Sequence, residues 1–312
     1  MRVAVVDLGT NTTRLLVAEV EDGALTELDK QTTITRLGQG VDATGQLADE
    51  AMDRVRAALT RYRGIMDEAG VTETIAVATS AMRDAANGAA FREELSQRFG
   101  IDARTISGDE EARLTFLGAT SGRTPAAESP SATVVIDIGG GSTEYVIGSP
   151  ASAPDYHVST QMGSVRHTER FLKSDPPEHD ELVALAEDVW RVIDEHVPAR
   201  YREETIEGIA VAGTATTLAA IDQELDPYDP EKVHGYRVSL AAAERIQAML
   251  AALPLETRRG VTGLHPDRAP MIVAGVTILV ESIRAFGLDE IEVSEADILH
   301  GAAMAAADGS TP

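Results

Sequence analysis

The chain has 312 residues, 43% of them hydrophobic, a length that suits two globular domains better than one core. It contains no cysteine, which excludes disulfides and thiolate metal sites; a metal here needs oxygen or imidazole ligands, and that favours magnesium over zinc. Its 51 Asp and Glu outnumber 27 Lys and Arg, a formal charge of −24 that argues against nucleic acid and against an anionic membrane as partners.

From the N-terminus, VAVVDLG (3–9) predicts a strand and LLVAEVEDGALTELDKQ (15–31) two more, joined at Asp22-Gly23, a strong hairpin signal. Apolar residues at helical spacing over 47–68 predict a helix, and TIAVATS (74–80) reads as a buried strand ending in SAMRDAANG. A helix over 89–99 leads to a strand near 103–106. Ser107-Gly108-Asp109 then caps a helix with Glu110 and Glu111 in its first turn, where the positive end of the helix dipole favours carboxylates. SGRTPAAESPSA (121–132) has the composition of an exposed linker. The expected domains are therefore 1–122 and 123–294, with 295–312 folding back on the first. Beyond the linker the order repeats: strand VVIDIG, loop GGST, strand EYVIGS, helices around 178–197, strand 206–213, loop TATT and a helix from Leu218. Helices over 241–253 and 270–286, a strand over 290–294 and a helix over 295–307 complete the chain. The N-terminus lacks the pattern of a signal peptide, and the longest apolar run, MIVAGVTILV from Met271, falls short of the ~20 residues of a membrane helix. A cytoplasmic location is expected.

The opening VVDLGTNTTRLLVAE returns as VIDIGGGSTEYVIGS, with Asp7 and Asp137 in matching places. Such a duplication implies two similar α/β halves, each opening with a glycine-turned hairpin, and two turns across a cleft would hold a chain of phosphates from both sides. A glycine-rich turn directs several backbone N–H groups toward one point. Gly9, Thr10, Asn11, Thr12 and Thr13 fit one such site, and Gly139, Gly140, Gly141, Ser142 and Thr143 a second. Gly213, Thr214 and the following Ala-Thr-Thr fit a third, ahead of a helix N-terminus. Aspartates beside phosphates repel them unless a cation intervenes, so Asp7, Asp137 and Glu144 are candidate Mg²⁺ ligands, direct or through water. For Asp7 the alternative is a strand-end residue capping its own turn.

These motifs, together with VATSAMRDAANG, ISGDEEARLTFLG, VAGTATTLAAI, VHGYRVS, GLHPDRAPMIVAGVTIL and VSEADILHGAA, run nearly end to end and resemble the exopolyphosphatase / guanosine pentaphosphate phosphohydrolase family of the actin-like superfamily. The resemblance implies an α/β fold of two ribonuclease-H-like domains about a cleft, Mg²⁺ dependence, and release of terminal phosphate from inorganic polyphosphate. Guanosine pentaphosphate is the alternative substrate. By the same resemblance Glu111 is the catalytic glutamate that activates water, Arg83 lies at the active-site edge, Asp137 and Glu144 are metal-associated, and Gly141, Ser142, Gly213 and Thr214 are phosphate-loop positions. A homodimer is left open. Longer members carry further C-terminal helical domains, so weaker processivity and a preference for shorter chains are expected here.

A chain this acidic must gather positive charge locally to hold a polyanion. Arg14, Arg83, Arg113 and the pair Arg166-His167 are candidates; a solvated helix start is the other reading of that pair. Two other classes share the duplicated hairpins. An ATP-dependent small-molecule kinase would need an adenosine pocket, for which no glycine cluster near the C-terminus speaks. A nucleotide-gated scaffold of the actin or chaperone type would leave Glu111 without a task.

Overall fold

The computed structural model describes residues 1–21, 24–123, 132–150 and 152–309. The expected Asp22-Gly23 turn and most of the 121–132 linker therefore lie outside the described residues. The fold is mixed α/β and divides into two units, Met1–Gly118 with Ile298–Pro312, and Ala119–Asp297.

In the first unit, β1 (Arg2–Leu8), β2 (Thr12–Glu21), β3 (Ala24–Ile34), β4 (Glu73–Ala78) and β5 (Ala103–Thr105) form a sheet in the order β3-β2-β1-β4-β5. The three leading strands run antiparallel, and β4 and β5 add in parallel after helical crossovers. This is the ribonuclease-H-like order. Both faces of the sheet are covered, which is why β1 reads as a nearly continuous apolar run and not as an alternating one. Ala4, Val6 and Leu8 pack with Val55 and Leu59 of the helix Asp49–Glu68 and with Phe91 and Leu95 of the helix Gly88–Phe99. Val3 and Val5 face the other way, onto Leu114 of the helix Gly108–Ala119 and Leu299 and Ala302 of the terminal helix Ile298–Ala307.

The second unit contains β6 (Ala132–Ile138), β7 (Thr143–Gly148), β8 (Tyr156–Thr160), β9 (Thr205–Val211), β10 (Arg237–Ser239) and β11 (Glu290–Val293). Their order is β10-β11-β9-β6-β7-β8, so five of them repeat the first sheet and β10 extends its edge, antiparallel to β11. The run that begins at Met271 forms the helix Ile272–Ala285, buried continuously from Ile272 to Ile283 in the largest core. Among the described residues no helix is long and apolar enough to cross a membrane.

One expectation about local structure is corrected. TATT is not a loop: the helix Ala212–Asp222 begins directly after β9. Ala212, at φ 63°, makes the reversal in a single left-handed residue, which places Gly213 and Thr214 in the first helical turn.

Candidate functional site

In the first unit, the β1–β2 turn closes with the Gly9 N–H donating to the Thr12 carbonyl at 2.9 Å. The carbonyls of Thr10 and Asn11 face the segment that follows β3: Thr10 O accepts from the Gly38 N–H at 2.8 Å, and Asn11 O from the Thr35 and Arg36 N–H groups at 3.0 and 2.9 Å. With the carbonyls tied inward, the Thr10 and Asn11 amides donate to no protein acceptor among the described residues. Asn11 is buried with its side-chain Oδ1 unpartnered. Buried polar groups without partners are rare, and a carboxamide can present a donor there by a half-turn. Thr12 stands half-buried beside it, while the Thr13 hydroxyl is engaged by Thr35 at 3.0 Å. Arg14 lies opposite Asp7 in the ladder and donates Nε and Nη2 to its Oδ2 at 2.9 and 2.8 Å. Asp7 thus has from Arg14 the counter-charge that a magnesium ion was expected to bring, and Arg14, expected at a phosphate, holds this carboxylate.

The same unit gives different surroundings to Glu110 and to Glu111, the one that the resemblance assigns to catalysis. Glu110 is half-buried and ion-paired with Arg104, whereas Glu111 is only 8% exposed. Arg83, on the short helix Ser80–Asp84, places Nη1 at 3.5 Å from Glu111 Oε2 and donates it to the Ile106 carbonyl at 3.1 Å. Glu111 and Arg83, expected at the catalytic centre and at its edge, are therefore neighbours, drawn together from elements after β4 and β5. Arg113 is exposed on the same helix as Glu111.

The second unit repeats the turn. The Gly139 N–H donates to Ser142 O at 3.0 Å, and every carbonyl from Gly139 to Gly141 is claimed by the segment after β8. Gly139 O accepts from the Ser164 N–H at 2.9 Å, Gly140 O from the Val165 and Arg166 N–H groups at 2.9 and 3.1 Å, and Gly141 O from Arg166 Nε at 2.7 Å. The amides of Gly140, Gly141 and Ser142 donate to no protein acceptor among the described residues. Arg166 is thus a structural clamp on the turn, and burial lowers its pKa. Thr143, expected to bind phosphate, is fully buried with its hydroxyl donated to Met162 O at 2.6 Å. It matches Thr13 in the first unit, and its polar group is likewise used inside the fold. Asp137 and Glu144 are directly opposed on β6 and β7, 7% and 1% exposed, and Ser159 donates its hydroxyl to Glu144 Oε1 at 2.7 Å. Two carboxylates facing each other across strands repel, so this pair suits a hard cation such as Mg²⁺. No group of three or more metal-ligating side chains forms among the described residues. The pair would leave further coordination positions to water or phosphate.

Sequence reasoning missed Arg268. Its guanidinium lies on Gly213, with Nη1 1.5 Å from where a Cβ would stand, so only glycine lets it rest on the N-terminal turn of the helix Ala212–Asp222. The dipole of that helix end and the guanidinium both favour an anion. Thr214, beside it, is buried. The signal was present in GLHPDRAP, but nothing in the sequence ties position 268 to 213. A separate cavity of about 460 Å³ is lined by Glu224, Asp226, Asp229 and Lys232, among others; its carboxylates disfavour a polyanion.

His167 is buried rather than solvated. Desolvation pushes it down from 6.5 to about 4, against the pull of Asp188 and helped by Arg170 and Arg166. The native ring thus stays neutral where the unfolded chain takes up a proton. Stability is full above about pH 6.5 and falls on acidification toward pH 4, by up to roughly 3 kcal/mol. Denaturant midpoints at about pH 7.5 and about pH 5 check this: the decline is expected to shrink in His167→Asn, and an equal decline in both proteins would refute it.

A model of the Ppx/GppA phosphatase family matches residues 16–307. Exopolyphosphatase 2 of Mycobacterium tuberculosis is 38% identical over 323 aligned residues, covering 98% of each chain. Among solved structures, an exopolyphosphatase-like protein superposes with a TM-score of 0.90 at 34% identity, covering 97% of this chain and 96% of its own. An exopolyphosphatase from Cytophaga hutchinsonii does so with a TM-score of 0.90 at 28% identity, covering 99% and 98%.

Proposed function

Because the chain belongs to the Ppx/GppA phosphatase family, we infer that it is an exopolyphosphatase, a phosphoanhydride hydrolase that releases terminal orthophosphate from inorganic polyphosphate. The supporting observation is the pair of glycine turns whose carbonyls at residues 10–12 and 139–142 are tied inward, leaving backbone amides as donors for phosphate oxygens. Thr10, Asn11 and Thr12 contribute in the first turn and Gly140, Gly141 and Ser142 in the second. Gly213, Thr214 and Arg268 offer a third anion site. Glu111 holds the attacking water and accepts its proton as the new P–O bond forms and the terminal anhydride P–O bond breaks. Arg83, 3.5 Å from Glu111, keeps that carboxylate oriented.

Asp137 and Glu144 would hold Mg²⁺, which when bound neutralises charge on the phosphate oxygens. Phosphate release from polyphosphate is expected to need Mg²⁺, to fall at least ~100-fold in EDTA and to recover when Mg²⁺ is restored. A rate indifferent to EDTA removes the metal assignment. The same assay with guanosine pentaphosphate ranks the alternative substrate, and a faster rate on it would displace polyphosphate.

A further inference from the structure

Beneath the second glycine turn lies a side-chain relay that the chemistry above does not use. Gly163 precedes the helix Ser164–Phe171 and packs against the turn so closely that a Cβ would stand 2.5 Å from the carbonyl carbon and oxygen of Gly140. His167, 1% exposed, directs Nδ1 at the Gly163 N–H (3.4 Å) and Nε2 at Asp188 Oδ2 (3.2 Å). A backbone N–H only donates, so Nδ1 carries the lone pair and Nε2 the hydrogen that Asp188 accepts. Asp188 belongs to another helix, His179–His196, where Arg191 Nη2 holds its second oxygen at 2.6 Å. The path from Asp188 through His167 to Gly163 ends where Ser164, Val165 and Arg166 grip the carbonyls of residues 139–141.

We propose that His167, oriented by Asp188, is a positioning residue for phosphate binding: by anchoring the Gly163 amide it holds the 163–166 segment against the turn and keeps the amides of Gly140, Gly141 and Ser142 directed at substrate. Its geometry stands by itself, while its substrate rests on the exopolyphosphatase reading. The first unit has no counterpart on this path: Gly38 reaches Thr10 O directly, with no histidine behind it.

Two near-isosteres separate positioning from space-filling. Asparagine places Oδ1 where histidine has Nδ1 and so keeps the acceptor for Gly163; glutamine places Nε2 where histidine has Nε2 and keeps only the contact to Asp188. In the full chain, His167→Asn is expected to leave KM for polyphosphate within about twofold of wild type, and His167→Gln to raise it about tenfold with kcat within about threefold. Amide hydrogen exchange across residues 163–166, whose N–H groups hold the turn carbonyls, should quicken in His167→Gln alone. Asp188→Ala removes the orienting acceptor at a less buried site and is expected to raise KM about threefold. Equal behaviour of the Asn and Gln variants in KM and exchange overturns the proposal, as does an unchanged KM in Asp188→Ala. Should wild type release no phosphate from polyphosphate while the exchange pattern holds, the functional reading fails and the positioning role stands.

Discussion

Glu111→Gln is expected to lower kcat for polyphosphate by roughly 10²–10⁴-fold, with KM changed by no more than about threefold. The substitution keeps the size of the side chain and removes its capacity to take a proton. Glu111 is buried at the first turn of Gly108–Ala119, its backbone N–H held by Ser107 O at 2.9 Å and its carboxylate beside Arg83. The helix is therefore expected to survive the change. Glu110→Gln is the matched control, since Glu110 pairs with Arg104 at the surface and its loss should leave kcat within about twofold. Initial rates for both variants decide the matter. A Glu111→Gln enzyme as active as wild type, or a Glu110→Gln enzyme equally impaired, would remove Glu111 from the chemistry.

Gly163→Ala is the second large effect. The added methyl would meet Gly140 C and O at 2.5 Å and Gly141 C at 2.6 Å, all backbone atoms that no rotamer change can move aside. Gly163 itself sits at φ −155°, extended backbone that alanine adopts freely, so the cost is one of contact and not of conformation. Stiffening the unfolded chain returns at most about 1 kcal/mol, against a clash of about 1–3 kcal/mol. A lowered unfolding midpoint is expected, together with a fall in kcat/KM of at least ~100-fold as the amides of the second turn are displaced. Gly260→Ala serves as control, because its Cβ would meet Thr257 O only at 3.5 Å. Unchanged kcat/KM in Gly163→Ala would show that the turn does not depend on this close approach.

Much of the fold was legible because it rests on local signals. Apolar runs of β-branched residues marked β1, β6 and β9, and the repeat around Asp7 and Asp137 marked two like units. Where local signals were weak the reading slipped. The helix beginning at Ala212 was hidden by threonine and glycine, residues that look like a loop until burial of Thr214, Ala215 and Leu218 is known. Side-chain partnerships were less legible still. Arg14 and Thr143 look like phosphate ligands by type and place, yet cross-strand register gives Arg14 to Asp7, and packing gives the Thr143 hydroxyl to Met162.

Composition, periodicity and the doubled motif by themselves determined the α/β class, the duplication, and the residue types gathered at the two turns, because each depends on neighbours a few positions apart. Only the tertiary structure decided that Glu111 and not Glu110 is buried beside Arg83, that Arg268 rests on Gly213, and that the 163–167 segment braces the second turn. Those facts depend on which remote segments the sheets and helices bring within 3–4 Å, and contact at that range is set by packing across the fold and not by order along the chain.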